Sequence, residues 1–333
     1  MKRIFPVLIG MLLLISAAHF LLGTVSPGFG SEPVPGERLR FLFLSIRLPR
    51  LLTAAAAGTA MAVSGVLLQS FFRNPMADPF VLGIHSGASL GVALVTLLLR
   101  GFVGTVSGGG FWMVGSTAAA FAGAAAVTFL MSFLSVRMRT KATLLVTGLM
   151  IGYGLNAVIS LLIFFSSPEE WEWYFAWNFA SFSGTTLTES VVLMSVAVGS
   201  LVYAVRIGKN LNLYRLSADY AVSAGVDVRR LRFGLVAVSS VAAAFVSSFC
   251  GPVAFVGIAA PRFVMIFFRT DDSRILVPAS ALTGALLTVT ADLSAKIPSL
   301  WMTALPLNPV LSFLGLPFVF AVLLGKGGEV TDD

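Results

Sequence analysis

Apolar runs, each about the length of a bilayer crossing, fill nearly the whole of this chain and leave only short polar stretches between them. A helix needs about 20 mainly apolar residues to cross the hydrocarbon core. That measure predicts about ten spans, at 4–24, 48–70, 80–99, 113–135, 143–165, 187–205, 233–250, 253–268, 275–295 and 306–325. The turn Cys250-Gly251-Pro252 separates the seventh from the eighth, which is short. Charged residues are only 11% of the 333, against about 25% in soluble domains, and the mean hydropathy is +0.93. The expectation is an all-α, polytopic membrane protein, one domain over 1–333. The longest non-apolar stretches are 25–47, 166–186 and 206–232.

Because charges are scarce, their placement carries the topology. Lys and Arg accumulate on the cytoplasmic side of a membrane. Alternating the spans from an inside N-terminus gathers Lys2, Arg3, Arg73, Arg137, Arg139, Lys141, Arg206 and the group Arg229, Arg230 and Arg232 on one side. Arg38, Arg40, Arg47, Arg50, Arg100 and Lys296 fall on the other. The bias predicts both termini inside. It also puts the stretch with Glu169, Glu170 and Glu172, which has no base, outside. A net charge of +7 is accounted for by this asymmetry, and no nucleic-acid partner is expected. The first span reads as an uncleaved anchor rather than a signal peptide.

Small residues recur every fourth position: Gly83, Gly87 and Gly91 in the third span, Gly115, Ala119 and Gly123 in the fourth, Gly148, Gly152 and Asn156 in the fifth. Lipid gives helices no hydrophobic reason to associate, so close backbone approach must supply the contact. These stripes predict tight packing, not a site.

Three polar segments stand out. Arg47-Leu48-Pro49-Arg50 opens the second span, with proline where a helix start tolerates a missing N–H. The arginines either snorkel to headgroups or meet a partner. Arg73-Asn74-Pro75-Met76-Ala77-Asp78-Pro79 is a tight inner turn, with Asn74 and Asp78 suited to hold local backbone N–H groups. In 206–232, Ser217-Ala218-Asp219 starts a short helix, Gly225 ends it and Asp227 caps the next. That is a folded knob, and a knob suggests a partner. The aromatic stretch 169–182 predicts a helix lying in the outer interface.

Absences narrow the chemistry. No G-x-x-x-x-G-K-[ST] is present, so the chain is not expected to hydrolyse nucleotide itself or to be an enzyme. A lone Cys250 permits no intrachain disulfide, and neither a metal site nor a cofactor is expected. His85 is either a pathway residue or a hydrogen-bonded packing residue. Asp78, Arg262 and Asp292 fall at or near span ends, and the lack of a midplane carboxylate counts against a stand-alone secondary transporter.

In this order, R-L-P-R at 47–50, S-G-V-L-L-Q at 64–69, R-N-P-M-A-D-P at 73–79, L-G-I-H-S-G-A at 82–88, S-A-G-V-D-V-R-R-L-R at 223–232, G-P-V-A-F-V-G-I-A-A-P-R at 251–262 and A-D-L-S-A-K at 291–296 resemble the FecCD-type permeases over about residues 40–325. These are the membrane subunits of ABC importers for ferric siderophores, haem and cobalamin. The resemblance implies ten spans in a type II importer bundle, a second copy of the chain around a central pathway, cytoplasmic ATPase subunits, a periplasmic substrate-binding protein and a bacterial inner membrane with its lipid. Carried over, Arg47, Arg50 and Lys296 dock the binding protein. Leu213, Leu216, Ala218, Tyr220, Ala221, Gly225 and Val226, within coupling helices at about 211–230, contact the ATPase. Asn74, Pro75, Asp78 and Pro79 form a structural turn. The resemblance makes the fifth and tenth spans candidates for the pathway lining, and His85 and Asn156 are candidate pathway residues. Departures are Lys296 where Arg is common, His85 where Ser or Asn is usual, and Leu305-Pro306-Leu307-Asn308 where an acidic residue is usual. The expected cargo is a ferric siderophore, with haem or cobalamin as the alternative and a secondary transporter as the rival class.

Overall fold

The computed structural model describes residues 4–22, 40–99, 109–138, 140–297 and 305–324. Both termini, Arg38, Arg100 and Arg139 lie outside these residues. Every regular element among the described residues is helical. In chain order these are α1 (Ile4–Leu21), α2 (Leu48–Phe72, continuing a π-helical turn Leu42–Arg47), α3 (Ile84–Ala93), α4 (Gly109–Arg137), α5 (Lys141–Phe164), α6 (Pro168–Asn178) and α7 (Leu187–Arg206). There follow α8 (Gly208–Leu216), α9 (Ala218–Ser223), α10 (Val228–Cys250), α11 (Val256–Phe268), α12 (Ser273–Lys296) and α13 (Leu307–Leu324). Seven of these segments are long and apolar enough to cross a membrane, and three shorter apolar helices, at Ile84–Leu97, Val256–Phe268 and Leu307–Pro317, occupy the other predicted spans.

Burial separates centre from periphery. Within the apolar windows, 78% of the α2 segment and 72% of α12 are buried, against 17% of α1 and of α5. The centre is therefore the α2–α12 pair, flanked by α7, α10 and α11. Small residues permit that closeness: a Cβ on Gly58 would meet the Gly284 backbone, and one on Gly65 would run into the Gly257 backbone. The predicted stripes meet in the same way except at Gly115, where a Cβ would have nothing within 4 Å. Gly87 faces Gly123, with a Cβ landing 2.6 Å from its carbonyl oxygen; Gly91 abuts Ala119, and Gly83 abuts Gly148. Polar contacts add interhelical glue. Thr288 Oγ1 donates to the Ala54 carbonyl at 2.7 Å, and the Thr53 and Ser190 hydroxyls lie 2.9 Å apart.

Two breaks place irregular backbone within the bundle, and such backbone must be satisfied by protein. Asp78 Oδ1 accepts from Phe80 N–H at 2.9 Å and opens a 3₁₀ turn, Pro79–Leu82. Asn74 Oδ1 accepts from Met76 N–H at 2.9 Å, so the turn is held by the two side chains assigned to it. Between α10 and α11, Gly251 (φ 77°) and Phe255 (φ 65°) turn the chain. Asn308 supports that break: its Nδ2 donates to the Pro252 carbonyl at 2.6 Å and its Oδ1 accepts from Ala254 N–H at 3.3 Å.

Candidate functional site

The two ends of the bundle carry different chemistry. At one end, α1, α2 and α12 converge on Asp292, whose side chain is 2% exposed. Arg50 grips it with two groups, Nε at 2.8 Å from Oδ2 and Nη2 at 2.8 Å from Oδ1. Lys296 Nζ lies 3.1 Å from Oδ2, one helical turn along α12. His19 Nε2 lies 2.6 Å from Asp292 and 2.6 Å from Lys296 Nζ. Arg47 is buried, and its Nη1 donates to the carbonyls of Phe20 at 2.8 Å and Leu21 at 3.3 Å. It thus places a cation on the C-terminal end of α1, where carbonyls and dipole favour one. Sequence alone places Arg47, Arg50 and Lys296 as exposed cations near span ends. The structure places all three and joins them at one site, but turned inward: Arg47 and Lys296 are 6% and 7% exposed. The physical reason is Asp292. In a low-dielectric bundle, a buried carboxylate must be paired. His19 was missed because nothing in its local sequence marks a partner on the last long span.

The opposite end is built around the knob. Ser217 caps α9 by accepting from the N–H groups of Asp219 and Tyr220 at 3.2 and 3.4 Å. Gly225, with φ 82°, ends it through backbone bonds Gly225 N–H to Val222 O and Val226 N–H to Ala221 O, both 2.9 Å. Asp227 accepts from Arg230 N–H at 3.0 Å and starts α10. Of the residues assigned to coupling, Leu216 and Tyr220 are 71% and 55% exposed, Leu213, Ala218 and Val226 are half-buried against the core, Ala221 is buried and Gly225 forms the turn. Val222, exposed at 59%, belongs to the same apolar tip and was not singled out from sequence.

Asn212 fastens α8 to the start of α12. Its Nδ2 donates to Asp272 Oδ1 at 2.7 Å, and its Oδ1 accepts from Ser273 N–H at 2.8 Å. The Asn212 bond, followed by the Arg274 N–H bond, holds the Asp272 carboxyl below its ordinary value. A depressed carboxylate stabilises above its unfolded value and loses that effect as pH falls through the folded one. The tie therefore persists at neutral pH and weakens only in acid. Asn212→Ala should cost about 1 kcal/mol locally and speed hydrogen exchange in 208–223, leaving the spans protected. Unchanged exchange there would show that the tie does not hold the knob.

The pathway candidates are separated. His85 is buried between helices, its Nδ1 2.5 Å from Ser247 Oγ and its ring 3.9 Å from that of Phe80. Asn156 lies on the exposed face of α5, and its Nδ2 donates to Ser86 Oγ at 3.4 Å. Among the described residues no cluster of His, Cys, Asp and Glu suits a metal ion.

A model of the FecCD transport family matches residues 5–325. The chain belongs to the FecCD transport family. This FecCD permease is 33% identical, over 86% of its length and 74% of the relative's, to the cobalamin import system permease BtuC of Halobacterium salinarum. It is also 33% identical to the vitamin B12 import system permease BtuC of Vibrio parahaemolyticus, over 96% of this chain and 92% of that one. Identity is 29% to the hemin transport system permease HmuU of Yersinia pestis, over 94% and 93% of the two chains. A solved ABC transporter of metal-chelate type, captured in an inward-facing conformation, shares the fold with a TM-score of 0.83 at 24% identity, covering 98% of this chain and 99% of that one. The protein is thus a multi-pass membrane permease subunit of an ABC importer.

Proposed function

We propose that this FecCD permease carries a metal chelate inward, a ferric siderophore in the first reading, after delivery by a periplasmic binding protein and at the expense of ATP hydrolysed by separate subunits. One observation carries the reading: a single bundle presents a cation-rich cluster at one end and a capped knob with an apolar tip at the other. The knob end, with Arg206, Arg229, Arg230 and Arg232, is cytoplasmic, as the bias of Lys and Arg favours, with both termini on that side in the bacterial inner membrane. Leu216, Tyr220 and Val222 supply an apolar surface for an ATPase subunit.

Among the described residues the outer end sets two cations, Arg50 and Lys296, on one carboxylate, Asp292, with Arg47 on the carbonyls that end α1. The surplus of positive charge draws an acidic binding protein, whose carboxylates exchange with Asp292 as partners of Arg50 and Lys296. The exposed face of α5, with Met150, Tyr153 and Asn156, meets a second copy of the chain across the pathway. A corrinoid is the second reading of the cargo, favoured by the two BtuC relatives.

Proteoliposomes holding the permease with its ATPase subunits test this directly. Binding protein outside and ATP inside should drive accumulation of a labelled ferric siderophore, or of cobalamin if the second reading holds. Omitting either partner should abolish accumulation. Equal uptake without ATP would refute the importer mechanism and favour a secondary transporter.

A further inference from the structure

A polar cavity of about 330 Å³ lies where α2, α8, α11 and α12 end together, beside the knob. Arg73, Arg215 and Arg262 line it, and Asp271 is the one acidic lining residue. Asp271 is committed to Arg215, whose Nη2 lies 3.0 Å from its Oδ1. Arg73 Nη2 donates to the Tyr214 carbonyl at 2.9 Å. Arg262 lies within the field of Asp271 as well, but among the described residues its Nη1 reaches only a sulfur, Met265 at 3.8 Å, and its buried Nε has no hydrogen-bond partner. Gln69, 7% exposed, also lines the cavity. Its Nε2 donates to the Gly257 carbonyl at 3.0 Å, while its buried Oε1 accepts nothing.

These groups define a ligand by what they lack. Three guanidiniums facing one cavity repel, and an anion between them relieves the repulsion. A planar guanidinium matches an oxyanion with paired donors. The orphan Nε is a donor only, and the orphan amide oxygen an acceptor only. A simple anion satisfies the first and clashes with the second. An oxyanion that also carries an O–H satisfies both. We propose that this cavity binds a phosphate group bearing a P–OH, as hydrogen phosphate or a phosphate monoester, with Arg73 and Arg262 holding its oxygens and Gln69 Oε1 accepting its proton. A bound phosphate bridges the end of α2 to α11, beside the knob. Its two sources are soluble phosphate and a monoester lipid headgroup.

The test uses the full-length permease in nanodiscs of zwitterionic lipid, alone and with its ATPase subunits. Inorganic phosphate should raise the unfolding midpoint saturably, beyond chloride or sulfate at matched ionic strength. If the headgroup is the source, the stabilisation appears instead on adding phosphatidic acid. Arg262→Gln should weaken binding about tenfold. Gln69→Leu should remove the preference for phosphate over sulfate while sparing anion binding as such. Arg262→Lys, which keeps the charge, separates a folding defect from a binding one by retaining part of the affinity. Identical midpoints in phosphate, sulfate and chloride with and without phosphatidic acid, or wild-type affinity in Arg262→Gln, would overturn the site. So would loss of phosphate stabilisation on assembly with the ATPase, which would assign the cavity to an acidic side chain of the partner.

Discussion

Gly65→Val should leave almost no correctly assembled protein, while Gly199→Ala should assemble as the wild type does and be as stable or slightly more so. The difference lies in what a side chain would meet. A Cβ at position 65 collides with the O, C and Cα of Gly257, all backbone atoms, whereas one at position 199 has nothing within 4 Å. Side chains rotate away from an intruder; a helix backbone moves only as a whole. Overpacking ordinarily costs about 1–3 kcal/mol, and with no side chain able to yield the cost sits at or beyond the upper end. Separating α2 from α11 also pulls Gln69 from the Gly257 carbonyl, a bond of 3.0 Å. Lipid does not reward re-closing the gap. In Gly199→Ala the exchange favours the helix by up to about 1 kcal/mol. Monodisperse yield and unfolding midpoint in detergent measure both. A Gly65→Val protein that purifies and melts like the wild type would show that the α2–α11 approach is not what holds the centre.

The stripes of the third, fourth and fifth spans were legible because the bilayer leaves few other reasons for small residues at four-residue spacing. The structure joins Gly87 to Gly123 and Gly83 to Gly148. The central pairs Gly58–Gly284 and Gly65–Gly257 were not read, since each is a single contact between distant spans. The knob was legible for a local reason: Ser217, Gly225 and Asp227 act within a few residues of themselves, so capping chemistry could be taken from sequence order. Asn308 stood out only as a departure from a family pattern. Its work, holding the break between Gly251 and Phe255, spans 56 residues of sequence to Pro252.

Arg47, Arg50 and Lys296 are legible in the sequence, but their environment is not. Arg50 and Asp292 are 242 residues apart in sequence, and His19 and Asp292 are 273 apart. Hydropathy places each near a span end and says nothing of which ends meet. A basic residue beside a helix start reads as solvated or partner-bound until a carboxylate is known to face it. Here the carboxylate lies only four residues before Lys296, on the same helix face, and that spacing was the one available signal.

From that pairing comes the other large effect. Asp292→Ala should destabilise the end where α1, α2 and α12 converge by about 3–5 kcal/mol, the usual cost of removing one partner from a buried ion pair. The loss is not of one bond. Arg50 gives up its two-pronged contact, Lys296 its partner at 3.1 Å, and His19 a partner at 2.6 Å. What remains, among the described residues, is a cluster of cations in low dielectric with no carboxylate paired to them. Asp292→Asn should cost less, because the amide oxygen still accepts from the guanidinium, although the charge is gone. Adding Lys296→Met to Asp292→Ala should recover part of the loss, since one of the stranded charges goes with it. The double-mutant cycle is therefore expected to be strongly non-additive. Unfolding midpoints of the three variants and the wild type, in the same nanodisc, supply the cycle. Additive losses, or an Asp292→Ala protein as stable as its parent, would mean that Arg50 and Lys296 rest on other partners. In that event a docking carboxylate would have no internal rival to displace.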